Sequence, residues 1–346
     1  MEIALLVLAA LGIGVVVGLT GMGGGALMTP TLVFFFGIPP VTAVSSDVVA
    51  SAFMKPAGSW VHIRNKTVNW QLVRLLVYGS VPSAFLGVVA AHFLIDPEAL
   101  QSFVKHALGV VLVIAAGGLA VRAYLRLRER AMVRDGRATA LPFDKPVVVP
   151  RPVPTILVGV FGGLMVGLTS VGSGSLIIIA LMALYPALKA NQLVGTDLVQ
   201  AVPLVVAASV AHLAFGDVDW SVTLPVIVGS IPGTYLGAQL SSRVSGGIVR
   251  RALVFVLTLS GLKMMGLSNT IAFSVVGAQM VLGTLAWGWI RHRLGFAFFT
   301  FQEKGGAATE LSADSSSSGS SLSSSSSSSS DELSSPASPA DPHQEK

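Results

Sequence analysis

The chain has 346 residues, of which 52% are hydrophobic and only 11% are charged, and its mean hydropathy is +0.75. Soluble domains carry roughly 25% charged residues, so this composition indicates a multi-pass α-helical membrane protein and excludes an ordinary soluble domain. The chain contains no cysteine, which excludes disulfides, thiol catalysis and thiolate metal sites, and its six histidines form no zinc-protease pattern. The N-terminal Met1-Glu2 lacks the basic region of a secretory signal peptide, and none is expected.

The first predicted element is a re-entrant pair at about 3–36, broken at a glycine cluster. The cluster reads Gly-Leu-Thr-Gly-Met-Gly-Gly-Gly over residues 18–25. A helix broken inside the membrane leaves unpaired N–H groups at the start of its second half, and these groups favour an anion. Consecutive glycines weaken a helix by about 1 kcal/mol each, which favours a break. The alternative, that the glycines serve close helix packing, stays open.

The next predicted element is a continuous span over 41–62 that carries a polar stripe. The stripe is spaced by four, four, four and three residues, and it occupies about 120° of one helix face: Asp47, Ser51, Lys55, Ser59 and His62. Ionisable residues inside a membrane are costly and indicate function, so Lys55 is predicted to neutralise an anionic substrate. Three structural alternatives stay open, namely a Lys55–Asp47 pair, a helix-terminus role for Asp47 and an interfacial role for His62.

Further spans at 71–95 and 107–121 complete a first repeat, residues 1–121. A basic linker follows at 122–152 and is expected on the cytoplasmic side. The remaining predicted regions are a second repeat at 153–268, an additional span at 269–302 and a Ser-rich tail at 303–346. The tail is expected to be disordered because it cannot bury enough apolar surface.

A shift of about 150 residues superimposes the two halves of the chain. It pairs Asp47 with Asp197 and His62 with His212, and it pairs the first glycine cluster with Gly-Leu-Thr-Ser-Val-Gly-Ser-Gly at 167–174. The second repeat is therefore predicted to contain the same elements, with its own re-entrant pair at about 153–186.

The loop charges predict that the two repeats are inverted. Arg64 and Lys66 place their loop inside, whereas the matching loop of the second repeat carries Asp217 and Asp219 and is placed outside. The predicted fold is thus an all-α polytopic membrane protein of two inverted repeats. Each repeat has a broken helix pair plus three spans, and one additional C-terminal span follows. The N-terminus is expected outside, and the linker and tail inside.

The two clusters, the basic linker between them, and Ser-Asp or Thr-Asp at the opening of the next helix resemble the TauE/SafE family of membrane transporters. The resemblance covers residues 1 to about 290. It implies movement of a small anion, commonly sulfite or an organosulfonate, and usually outward. The second cluster departs from the glycine-rich form at Ser170, Ser173 and Ser175.

The predicted site combines the two clusters with the central lysine. Its substrate-binding members are Thr20, Gly21, Gly23, Gly24, Gly25, Lys55, Thr169, Gly172, Ser173, Gly174 and Ser175. The predicted ion-coupling residues are Asp47, His62, Asp197 and His212. The predicted partners are a small anion and the lipid bilayer. No cofactor, metal or nucleic acid is expected, and a homo-oligomer stays open.

The predicted function is a secondary transporter, not an enzyme, that exports sulfite or an organosulfonate across the cell membrane with protons as the coupling ion. No nucleotide-binding loop of the G-x-x-x-x-G-K-[ST] type is present. An anion channel and an importer of another small anion, such as a carboxylate, stay open. A more remote alternative is an intramembrane serine hydrolase that uses Ser173 and His212, although the G-x-S-x-G motif is absent.

Overall fold

The computed structural model describes residues 2–20, 24–134, 149–188, 190–240 and 246–293. Eleven α-helices account for the regular structure of these ranges, which confirms the predicted all-α class. The first repeat contains α1 (Glu2–Thr20), α2 (Gly25–Phe35), α3 (Pro40–Arg64), α4 (Trp70–Leu94) and α5 (Pro97–Arg134). The second contains α6 (Pro152–Thr169), α7 (Leu176–Leu184), α8 (Ala190–Phe215), α9 (Trp220–Leu240) and α10 (Gly246–Met264), and α11 (Asn269–Arg293) follows. The predictions for Gly21, Gly23 and the tail at 303–346 lie outside the described residues.

Several helices are built to cross a bilayer. Among the described residues, six are long and apolar enough by length and composition: Ile3–Thr20, Trp70–Leu94, Pro97–Val121, Pro152–Thr169, Gln192–Phe215 and Asn269–Ile290. The helices α3, α9 and α10 have 25, 21 and 19 residues. At 1.5 Å per residue, α3 and α9 exceed the roughly 30 Å thickness of the hydrocarbon core and α10 approaches it. The chain is therefore a multi-pass membrane protein, as its composition predicts.

The helix α5 extends beyond the predicted end of the first repeat. It continues to Arg134, 13 residues into the segment assigned to the linker, because Ala, Leu, Arg and Glu in this stretch favour helix. Residues 135–148 of the linker lie outside the described residues. Contacts group residues 1–287 into one unit, and the described part of the second unit, 288–346, is the end of α11.

The pair α6 and α7 folds back on itself. The Tyr185 hydroxyl, just after α7, accepts the Arg151 backbone N–H at 2.8 Å and lies 2.6 Å from the Thr155 hydroxyl at the start of α6. The end of α7 is thus beside the beginning of α6, as a re-entrant pair requires. In the first repeat, Leu6 of α1 shares a core cluster with Leu32 and Phe36 at the end of α2.

The first helix of each repeat packs against a helix of the other repeat. In each, the first helix packs against the fourth helix of the other repeat, so that α1 lies on α9 and α6 lies on α4. Glycines allow both approaches: a Cβ on Gly79 would overlap the Ile156 carbonyl, and one on Gly229 would overlap the Val7 carbonyl. Gly79 and Gly229 are equivalent under the sequence shift. Part of the glycine content therefore serves helix packing.

Equivalent helices of the two repeats pack against each other in opposite directions. On α3 and α8, Ser59 donates to the Leu198 carbonyl at 2.9 Å, whereas Ser209 donates to the Val48 carbonyl at 3.1 Å. On α5 and α10, a Cβ at Gly109 would lie 2.7 Å from Met265 Cγ, and one at Gly261 would lie 2.8 Å from Val113 Cγ2. This antiparallel packing supports the inverted-repeat prediction.

Matching caps begin the fourth helix of each repeat. The Asn69 side chain accepts the backbone N–H groups of Gln71 and Leu72, and the Asp219 carboxylate accepts the Ser221 N–H at 2.8 Å. Side-chain and backbone hydrogen bonds from Ser221 hold the pKa of exposed Asp219 below its usual value. Such caps satisfy the first N–H groups of a helix and fix where it begins.

The glycine packing predicts that one Gly→Ala substitution destabilises the protein and that a second, at an open position, does not. Gly79→Ala should destabilise the protein by about 1–3 kcal/mol, since its Cβ would overlap the backbone of α6. Gly117→Ala is the control, because that exposed helical glycine has nothing within 4 Å of its Cβ direction. Thermal unfolding in detergent, monitored by size-exclusion chromatography, measures the melting temperature of each variant. Equal melting temperatures would contradict the close approach of α4 and α6.

The predicted topology is testable with single cysteines, because the chain has none of its own. Asp217→Cys should react with a membrane-impermeant maleimide in intact cells, whereas Asn65→Cys should react only after permeabilisation. Both positions are exposed in loops of the described structure, so burial does not mask the comparison. Protection of position 217 in intact cells would contradict the inverted arrangement.

Candidate functional site

The candidate site lies where the break between α6 and α7 meets the middle of α3. The break has unusual backbone geometry: Ser170 has φ of 59°, Gly172 has φ of 151° and Gly174 has φ of 89°. Glycine takes such values without the steric cost of a Cβ, which explains the glycines at 172 and 174. Ser170 adopts the left-handed region without that freedom, and such residues are often found at functional sites.

Asp47 of α3 is fully buried and is held by hydroxyls from two directions. Its Oδ2 accepts the Thr29 hydroxyl of α2 at 3.0 Å and the Ser170 hydroxyl of the break at 2.6 Å. Its Oδ1 is buried without a hydrogen-bond partner and lies 3.7 Å from the position of a Cβ built on Gly24. Asp47 therefore joins the first repeat to the break of the second and keeps one oxygen available.

Lys55 lies two turns further along α3 and is only 6% exposed. Its ammonium donates to the Ser173 hydroxyl in the break at 2.6 Å. It also interacts electrostatically with Asp197 and Asp47. The structure thus brings together Lys55 and Ser173, two of the predicted substrate-binding residues, and two carboxylates act electrostatically on the ammonium.

Asp197 has a different role from its equivalent, Asp47. Its Oδ2 accepts the backbone N–H of Gly174, and its Oδ1 accepts the Gln200 amide at 3.0 Å. The Gln200 oxygen in turn accepts the Ser80 hydroxyl at 3.2 Å. Asp197 therefore stabilises the break before α7 rather than the start of its own helix, and a carboxylate is favourable near such N–H groups.

The start of α2 is in direct contact with the break of the second repeat. A Cβ on Gly25, the first residue of α2, would overlap the Ser170 carbonyl. A Cβ on the neighbouring Gly24 would lie 3.6 Å from Met54 Cε, an ordinary contact distance. The glycine at position 25 is therefore needed where the start of α2 meets the break of the other repeat.

Two of the predicted hydroxyls donate within their own helices, and a third is buried. Thr20 donates to the Val16 carbonyl at 2.8 Å, and Thr169 donates to the Met165 carbonyl at 2.6 Å, so both turn back onto their own helices. Ser175 precedes α7, and its hydroxyl is buried without a hydrogen-bond partner. Each threonine thus satisfies a carbonyl of its own last turn, and contact of both threonines with the anion stays a prediction.

The two predicted histidines lie away from the break. His212 is buried, with Nε2 donating to the Gly167 carbonyl at 2.7 Å and Nδ1 positioned 2.9 Å from the Ser45 hydroxyl. A neutral ring, with Nδ1 as acceptor, satisfies both bonds. His62 is half-buried at the end of α3, and its Nδ1 lies 2.9 Å from the Thr67 hydroxyl. His212 therefore links α8 to α3 and α6, whereas His62 makes a local hydrogen bond.

Three members of the site were not among the predicted site residues: Thr29, Ser170 and Gln200. Gln200 follows Asp197 by three residues, a spacing that places two side chains on one helix face and was available as a signal. Thr29 carries no such signal, because its bond to Asp47 depends on how α2 returns to α3. No group of three or more His, Cys, Asp or Glu side chains in the described ranges could hold a metal ion.

Comparison with known proteins gives one consistent result. The family model described as sulfite exporter TauE/SafE matches residues 6–264. A probable membrane transporter protein, YjnA of Bacillus subtilis (strain 168), is 40% identical over 260 residues, which cover 75% of this chain and 98% of that protein. Another from the same organism, YdhB, is 24% identical with the same coverage, and one from Methanocaldococcus jannaschii, MJ0441, is 26% identical over 75% of this chain and 94% of its own length. No solved structure matches the chain.

The contact of α2 with the second break predicts different results for neighbouring glycines. Gly25→Ala should lower stability by about 1–3 kcal/mol, since the added methyl overlaps the Ser170 carbonyl. Gly24→Ala should leave the unfolding temperature close to that of the parent, because its methyl meets only ordinary contacts. Thermal unfolding in detergent compares the pair. A larger loss at position 24 than at 25 would show that α2 and the second break do not meet as described.

Proposed function

Because the chain belongs to the sulfite exporter TauE/SafE family, we propose that it is a secondary transporter for sulfite or an organosulfonate. That it is a membrane transporter follows from the family and from the names of its relatives. The family description also supplies the proposed outward direction. The buried carboxylates favour protons as the coupling ion, and the antiparallel packing of α3 on α8 supports the inverted repeats of the proposed transport fold.

The observation that carries the proposal is the Lys55–Ser173 contact inside a glycine-containing break. A lysine ammonium offers three donors, a serine hydroxyl offers one, and glycines at positive φ let a ligand approach the backbone closely. The start of α7 adds backbone N–H groups and the favourable end of a helix dipole. A sulfite or sulfonate group, with three oxygen acceptors and a negative charge, suits these donors.

The burial of the site favours a transporter over a channel. Lys55 is 6% exposed and Ser173 is 7% exposed, so the described conformation closes the site to solvent. An open channel would need a continuous wet path past these side chains, whereas alternating access includes closed states of this kind. An importer of another small anion, such as a carboxylate, would use the same donors, and only binding selectivity separates it from the sulfite or sulfonate transporter.

The contacts of Ser173 and His212 do not favour the serine hydrolase. Ser173 bonds to Lys55, while the two ring nitrogens of His212 face Gly167 and Ser45. The predicted nucleophile–base pair of Ser173 and His212 is therefore not formed in the described structure.

The proposal predicts the effect of removing the central cation. Lys55→Ala should weaken anion binding about 10- to 100-fold, because it removes a charge-assisted donor worth roughly 1.5–3 kcal/mol. Lys105→Ala, a half-buried lysine on α5, is the matched control and should bind like the parent. Isothermal titration in detergent with sulfite, organosulfonates and carboxylates measures affinity and selectivity together. Unchanged affinity in Lys55→Ala would make Lys55 a structural residue.

Counterflow in proteoliposomes separates transport from channel flux. A transporter should exchange labelled substrate faster when unlabelled substrate is present on the other side. The reason is that its binding site can return across the membrane with an unlabelled substrate bound. A channel would show no such stimulation.

A further inference from the structure

We infer that Asp47 takes up one proton each time the Lys55 site binds a singly charged anion, so that proton and anion cross the membrane together. This inference rests on the proposed function and deepens it. It assigns the coupling proton to a single carboxylate and sets the stoichiometry at one proton per anion, both moving in the same direction. Outward transport therefore requires an outward anion gradient that exceeds the inward proton gradient.

The geometry of Asp47 provides the proton site. The side chain has 0% exposure, and both donors to Oδ2 are neutral hydroxyls, those of Thr29 and Ser170. Its Oδ1 has no hydrogen-bond partner and faces Gly24, the residue that precedes α2. A proton on Oδ1 therefore breaks none of the hydrogen bonds that this carboxyl makes in the described structure.

The other three coupling candidates already make hydrogen bonds within the protein. Asp197 accepts a backbone N–H on one oxygen and an amide N–H on the other. His212 uses both ring nitrogens, and His62 lies at the end of α3 with a bond to Thr67. A proton on Asp197 or His212 would have to displace an existing hydrogen bond, and His62 is only half-buried at the end of α3.

The charge of the buried cluster links the proton to the anion. Asp47, Asp197 and Lys55 are buried together and carry a formal charge of −1 when ionised. A singly charged anion on Lys55 would raise this to −2 in a medium where unpaired charge is costly. A proton on Asp47 returns the cluster to −1, and the loaded site then carries the same charge as the empty one.

The surroundings offer few other groups for this compensation. The helices α2 and α6, which touch α3, contain no titratable residue, and α8 contributes Asp197 and His212. On α5 and α9, the titratable side chains that the structure describes, such as Glu98, Lys105 and Tyr235, are half-buried or exposed. Within the described residues, Asp47 is therefore the buried acid best placed to change its charge when the anion binds.

The pH dependence follows from linkage. The anion-bound protein holds one proton more than the free protein, so anion affinity must rise as pH falls. Where Asp47 is ionised in the free protein, the dissociation constant should increase about tenfold per pH unit. Because one positive and one negative charge move together, transport of a monovalent anion should be electroneutral.

Methanesulfonate is the appropriate probe, since a sulfonate keeps its charge between about pH 5 and 9 and cannot itself supply the proton. Titration of the parent protein in detergent should show weaker binding as pH rises. Asp47→Asn should bind with an affinity that no longer depends on pH. Glu98→Gln, at an exposed carboxylate of α5, is the control and should keep the pH dependence, because it lies outside the buried cluster.

Transport in proteoliposomes completes the test. The parent should accumulate methanesulfonate on the more alkaline side of a pH gradient, whereas Asp47→Asn should lose this accumulation but keep counterflow exchange. A pH-independent affinity of the parent, a sodium requirement in place of the proton, or a pH dependence that survives in Asp47→Asn would overturn the inference while leaving the proposed function intact. Absence of binding and exchange at every pH would overturn the proposed function and the inference with it.

Discussion

The buried charges of α3 are the constraint on which the rest of the structure depends. Asp47 and Lys55 lie in a helix long enough to cross the bilayer, where an unpaired charge costs several kcal/mol. Their hydroxyl partners, Ser170 and Ser173, come from the break of the other repeat. The break must therefore lie against α3, and the helix before it must enter the other half of the protein to place it there. The contacts that hold the fold together are thus the same ones proposed to bind the anion.

The sequence predicted the elements well because its signals are local. Glycines at 172 and 174, where the backbone has positive φ, and the duplicated Asp47 and Asp197 are visible as a pattern. The direction in which a side chain makes its hydrogen bond is not visible in the sequence. Thr169 fits an anion site by position, yet its hydroxyl prefers the Met165 carbonyl one turn back, and Thr29 reaches Asp47 only through the return of α2. Such choices depend on tertiary contacts between segments far apart in the chain.

Equivalent positions in the two repeats have diverged into different tasks. Asp197 binds the break of its own repeat, whereas Asp47 binds the break of the other one. The serine that makes the second contact possible, Ser170, corresponds to Gly21 in the first cluster, which has no side chain to offer. Likewise, Val205 stands where the first repeat has Lys55. The duplicated framework therefore contains one set of charged partners rather than two.

The packing of each first helix against the other repeat also constrains how the protein is made. Because α1 packs on α9 and α6 packs on α4, neither half of the chain contains all the partners of its own helices. On a ribosome, α1 must wait in the bilayer until more than 200 further residues have been synthesised before α9 becomes available. During that interval its small-residue face is open to other membrane helices. Biogenesis of this transporter should accordingly depend on factors that bind membrane helices, such as α1, before their partners are synthesised. It should depend less on the stability of either repeat alone.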